Sequence, residues 1–84
     1  MSATAGFSFV YILQSEDGKH FYVGLTNDLS GRLKKHNSGA VPHLVKYRPW
    51  RIKMAIAFRD RDKAAAFESY LKSSSGRAFT KKRF

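Results

Sequence analysis

The chain has 84 residues, 43% of them hydrophobic and 7 of them Phe, enough for one domain with a single modest core and too much for wholesale disorder. Its formal charge of +10 points to a polyanionic partner, nucleic acid before an anionic membrane surface. With no cysteine, disulfides and thiolate metal sites are excluded, a composition compatible with the cytoplasm, and no apolar run approaches the roughly 18 residues that span a bilayer.

Residues 1–6 are small and polar and read as a loose lead-in, and residues 1–13 lack the pattern of a signal peptide. Phe7 to Leu13 is almost wholly apolar or aromatic, which predicts a central strand covered on both faces. Turn chemistry centred on Asp17-Gly18 follows, then His20–Thr26, where Phe21, Val23 and Leu25 alternate with Tyr22, Gly24 and Thr26. The two segments form an antiparallel hairpin. A four-residue loop, Ser15 to Gly18, sets Tyr11 opposite Tyr22; a two-residue loop sets it opposite Gly24. Either register places both tyrosines on one face, because opposed residues share a face. Gly24 on that face marks the close approach of a ligand or another backbone.

Asn27 or Asp28 caps a helix that runs to Asn37, with Leu29 and Leu33 as its apolar stripe and Asn37 and Gly39 as the stop. Arg32 and His36 lie one turn apart on it, so their side chains can converge. The loop-like tract from Ser38 to Trp50 interleaves His43, Lys46, Arg48 and Arg51 with Tyr47, a mixture that suits phosphate contacts and base stacking as well as an ordinary solvated loop. Ile52–Phe58 is a third strand, with Ile52, Met54, Ile56 and Phe58 on one face. Asp60 or Asp62 opens a second helix, Arg61 to about Ser73, that buries Ala64, Phe67 and Leu71. Glu68 sits about 40° from Ala64 at 100° per residue, on the edge of that stripe. A carboxylate there either pairs with a neighbouring cation or faces a cleft as a metal ligand or acid–base group. Ser73–Gly76 ends the helix, and a basic tail follows with room for one further helical turn anchored by Phe79.

These residues resemble the GIY-YIG nuclease domain family, specifically its small stand-alone bacterial members related to the nuclease domain of an excinuclease subunit. Val10-Tyr11-Ile12 and Tyr22-Val23-Gly24 stand where that family has Gly-Ile-Tyr and Tyr-Ile-Gly. Arg32 is similar to its helix arginine, His36 to its downstream histidine and Glu68 to its metal-binding glutamate, over a match from about Phe7 to Lys72. The resemblance implies an α+β fold, a small antiparallel three-stranded sheet flanked by helices in the order β-β-α-β-α. It implies an endonuclease that hydrolyses DNA, in repair or processing, with one divalent ion, Mg2+ or Mn2+. Tyr11, Tyr22, Arg32, His36 and Glu68 would be catalytic, Glu68 the metal ligand, and Gly24, Lys46, Arg48, Lys72, Lys81 and Lys82 would meet the nucleic acid. Val10 departs from the family glycine, and no asparagine follows Asn37 where many members carry one. A nucleic-acid-binding module without catalysis is the alternative. A membrane-surface role is weak, because neither helix sets a basic face against a wide apolar one.

The charge makes a prediction of its own. Affinity for DNA should fall steeply with salt, through release of condensed counterions. Replacing Lys46, Arg48, Lys81 and Lys82 by Gln should flatten the slope of a log–log salt titration while leaving the thermal melt in place.

Overall fold

A computed structural model describes residues 6–84; the lead-in before Gly6 and the side chain of His43 fall outside this description. Strands β1 (Ser8–Ser15), β2 (Phe21–Thr26) and β3 (Trp50–Phe58) form one antiparallel sheet in the order β2-β1-β3. Helix α1 (Leu29–Asn37) follows β2, and helices α2 (Arg61–Lys72) and α3 (Ser74–Arg83) follow β3. The expected three-stranded α+β fold is present. No helix among the described residues is long and apolar enough to cross a membrane.

The run from Val10 to Leu13 is at most 1% exposed, as a central strand requires. Its alternate residues enter two separate cores. Val10 and Ile12 pack with Ala64 and Leu71, joined by Val23, Leu25, Met54, Phe58, Phe67 and Phe79, beneath α2 and α3. Tyr11 and Leu13 pack on the opposite face with Leu44 and Trp50, joined by Tyr22, Leu29, Leu33 and Tyr47, beneath α1 and a 3₁₀ helix at Pro42–Tyr47. That 3₁₀ helix occupies the tract expected as loop.

The hairpin takes the register that pairs Tyr11 with Gly24 and Leu13 with Tyr22. The connection is nonetheless four residues, Glu16–Lys19, closed by a bond from Ser15 N–H to the His20 carbonyl at 2.9 Å. Gly18 adopts φ +76°, which an L side chain resists. Asp28 caps α1 by accepting from Gly31 N–H at 3.1 Å. Asp60 caps α2 by accepting from Asp62 and Lys63 N–H.

Two expectations need correction. Ile52 does not share a face with Met54, Ile56 and Phe58. A bulge shifts the register between Ile12 and Leu13, so Met54 opposes Ile12 while Ile52 opposes Leu13 and Trp50 opposes Ser15. The extra residue, Lys53, moves the start of β3 to the α1 side, which is how Trp50 reaches the second core. Nor does the serine run simply end α2. The Ser73 hydroxyl donates to the Tyr70 carbonyl and accepts from Gly76 N–H at 3.1 Å, so one residue closes α2 and opens α3. The tail is therefore a full helix, held to the first core by Phe79.

Asn37 fastens β3 to the end of α1. Its side-chain amide donates to the Trp50 carbonyl at 2.9 Å, and its carbonyl oxygen accepts from Trp50 N–H. Asn37→Ala would strand both backbone groups and should cost about 1–3 kcal/mol in a denaturant titration. Asn37→Asp, which keeps the acceptor and loses the donor, should fall between the two proteins.

Candidate active site

Tyr11 lies at the centre of the site. The strand delivers its side chain to the α1 face, where there is room for it only because residue 24 is glycine: a Cβ there would collide with the Tyr11 hydroxyl. Gly24 is buried. A close approach at Gly24 is present, and it is made by the ring of Tyr11.

The Asp28 cap sets the rotation of α1, and Arg32 and His36 then project from successive turns toward Tyr11. The Tyr11 hydroxyl and His36 Nε2 are hydrogen-bonded at 3.4 Å. The His36 ring, 2% exposed, also packs on Tyr22 with centroids 4.7 Å apart. Tyr11 and Tyr22 lie 6.4 Å apart, centroid to centroid. Burial pushes the Tyr11 phenol up from 10.0 to about 12, and the Tyr22 phenol adds to the shift, while Arg32 opposes it by charge and hydrogen bonding. Glu68, from α2 on the other side of the sheet, raises it further. All five expected catalytic residues therefore share one electrostatic environment. Tyr11 holds its proton in it.

Glu68 pairs with Lys72, one turn on, at 3.3 Å. This is the simpler of its two expected roles, and it leaves the carboxylate only partly covered. Among the described residues no group of three or more His, Asp or Glu side chains converges as a ready-made metal site.

A groove of about 940 Å3 opens beside Tyr22. Of the expected DNA-contacting cations, Lys72 and Lys81 line it with Tyr22. Lys46, Arg48 and Lys82 are exposed elsewhere, and Arg48 donates to the Asn37 carbonyl at 3.3 Å. Tyr47 is already engaged, stacked on His20 at 3.9 Å and edge-on to Trp50. Phe21 and Lys53 also line the groove. The sequence pattern placed Phe21 with Val23 and Leu25 on one face of the strand and did not mark Phe21 as a groove residue; its place at the end of an edge strand was the signal for its exposure.

Residues 7–83 match the family model of the GIY-YIG catalytic domain, so the resemblance extends beyond Lys72 through α3. The chain is 37% identical over 70 residues to a UPF0213 protein of Halalkalibacterium halodurans, covering 82% of this chain and 73% of that one. It is 33% identical over 66 residues to a UPF0213 protein of Streptococcus pneumoniae, covering 77% and 66%. With a UPF0213 protein of Lactococcus lactis it shares 38% over 65 residues, covering 76% and 62%. The chain thus spans less than two thirds of the last two relatives' length. A solution NMR structure of a UPF0213 protein from Bacillus halodurans superposes with a TM-score of 0.54 at 34% identity, covering 89% of this chain and 80% of that one.

The Tyr11 environment predicts a pH dependence. The folded phenol ionises at about 12, above its ordinary 10.0, so folding favours the protonated form. That contribution is fully present below pH 10 and is lost as pH rises toward 12. Ultraviolet titration of the phenolates should show a late step that disappears in Tyr11→Phe, and the alkaline loss of stability should become shallower in that variant.

Proposed function

Because the chain belongs to the GIY-YIG catalytic domain family, we propose that it is an endonuclease that hydrolyses phosphodiester bonds in DNA with the help of one divalent ion, Mg2+ or Mn2+. One observation carries this reading: Arg32, His36, Tyr22 and Glu68 all act on the same Tyr11 phenol. Binding alone has no need of a carboxylate among cations.

The donor set fits Mg2+, which uses one or two carboxylates and completes its shell with waters and substrate phosphate rather than requiring a protein cage. Glu68 would hold it. Once bound, the ion supplies charge neutralisation at the phosphoryl oxygens and makes a bound water more acidic. Arg32 grips two non-bridging oxygens of the scissile phosphate through its planar fork, which a lysine could not do. As the water oxygen bonds to phosphorus, its proton passes to Tyr22 acting as a phenolate, the bond from phosphorus to the leaving deoxyribose oxygen breaks, and that oxygen takes up a proton from solvent in the open groove. Tyr22 suits this task because it is half-exposed and borders the groove, whereas His36 is buried beneath it. Tyr11 keeps its proton at neutral pH and holds His36 in position. DNA is the substrate class that the net charge of +10 favours.

The Glu68–Lys72 ion pair favours a second reading, a DNA-binding module in which Glu68 only braces its helix. The two readings separate on one variant. If Glu68 is bracing, Glu68→Gln should cost at most about 1 kcal/mol and leave DNA binding unchanged. If it holds the ion, the same change should abolish cleavage of single-stranded, duplex and branched DNA in Mg2+. Binding should then persist or tighten, since a carboxylate near phosphate repels it until a cation intervenes. Arg32→Ala should lose cleavage and affinity together. A folded Glu68→Gln protein that cuts at the parent rate removes Glu68 from the site.

A further inference from the structure

The groove beside Tyr22 has walls and a rim of contrasting chemistry. On β2, an edge strand, Phe21 stands 51% exposed, with the Lys53 ammonium 5.7 Å from its ring centroid. The stacked His20 and Tyr47 rings and the 43% exposed Phe84 also line the groove. Around it stand Lys19, Lys53, Lys72, Arg77 and Lys81, and no carboxylate lines the groove among the described residues.

We propose that this groove binds a run of unpaired nucleotides, with a base stacked on Phe21 and the flanking phosphates held by Lys53, Arg77 and Lys81. The placement of that strand toward the cutting site rests on the endonuclease reading; the binding itself does not. Phosphate contacts alone need cations and no rings. A duplex keeps its base faces inside its own stack, so the apolar wall has nothing to gain from one. An acidic peptide satisfies the cations and leaves the rings unused. An unpaired nucleotide presents a flat π-face and a phosphate together, and stacking of this kind is tolerant of sequence. Tyr22 and Lys72 border the same groove, and Lys72 is the partner of Glu68. A strand lying there would have its phosphates led to the candidate site.

The test is fluorescence anisotropy with a labelled oligothymidylate and with a duplex of equal length, both in chelator so that nothing is cut. The single strand should bind more tightly. Phe21→Ala should weaken it about tenfold and leave the duplex nearly unchanged. Phe21→Leu should be as weak as Phe21→Ala, since it keeps apolar bulk and loses the ring, while Phe21→Trp should restore binding. Lys53→Gln should weaken the single strand and lower its salt slope. Phe21 is exposed, so thermal melts of these variants should match the parent. Equal affinity for both DNAs together with no effect of Phe21→Ala would overturn the proposal. So would displacement of the oligothymidylate by polyglutamate as effective as by unlabelled strand. Selective single-strand binding by a protein that cuts nothing keeps this inference and removes the endonuclease reading; cleavage without strand preference does the reverse.

Discussion

A phenol buried in the central strand constrains much of this molecule. β1 is covered on both sides, so the Tyr11 hydroxyl has no access to bulk water and must find both space and polar partners inside the protein. Gly24 provides the space, and only the hairpin register that sets residue 24 across from residue 11 makes it available. His36 and Arg32 provide the partners, and only a helix rotated to present both on adjacent turns can do so. The hairpin register, the rotation of α1 and the grouping of the candidate catalytic residues are one packing solution. This grouping was not added to a finished core; it is a polar seam within that core.

Much of this was legible in the sequence because it is local. The stripes of Leu29–Leu33 and Ala64–Leu71 and the shared face of the two tyrosines follow from spacing alone, and spacing narrowed each helix cap to two neighbouring candidates, of which Asp28 and Asp60 are used. What escaped depends on partners distant in the chain. The register of the hairpin turned on a clash between Tyr11 and a Cβ that residue 24 does not have. The bulge at Lys53 is invisible in an alternating run, because the pattern looks regular while the strand crosses between two cores. α3 was underestimated because Ser73–Gly76 carries the composition of a stop, and a serine that closes one helix while opening the next looks the same on paper. Glu68 was the most ambiguous position. Its edge-of-stripe spacing fits both a pairing with a neighbouring cation and a metal ligand or acid–base group facing a cleft, and the structure shows the first of these, the ion pair with Lys72.

Charge is distributed with a purpose that composition alone conceals. Of the six carboxylates, Asp28 and Asp60 cap helices, and Glu68 lies near the tyrosine cluster. The groove is left with cations on its rim. Negative charge is therefore spent on holding the fold, and one carboxylate is kept where a bound cation would be useful. Lys72 joins the two regions, since it touches Glu68 and borders the groove.

The sheet order leaves the outer side of β3 as an edge along nine residues, with Ile52 and Ile56 exposed and Arg51, Lys53 and Arg59 spaced along or just beyond it. An open edge with apolar side chains invites pairing with another copy of itself. Here each copy approaches another as a strongly positive body, and repulsion holds the edges apart in dilute buffer. The same charges that would draw in a polyanion thus act as a colloidal stabiliser. On a polyanion, or in concentrated salt, that protection is neutralised just as neighbouring copies are brought close. Solubility and attraction for polyanions draw on one set of lysines and arginines, and a variant that trades one away gives up some of the other.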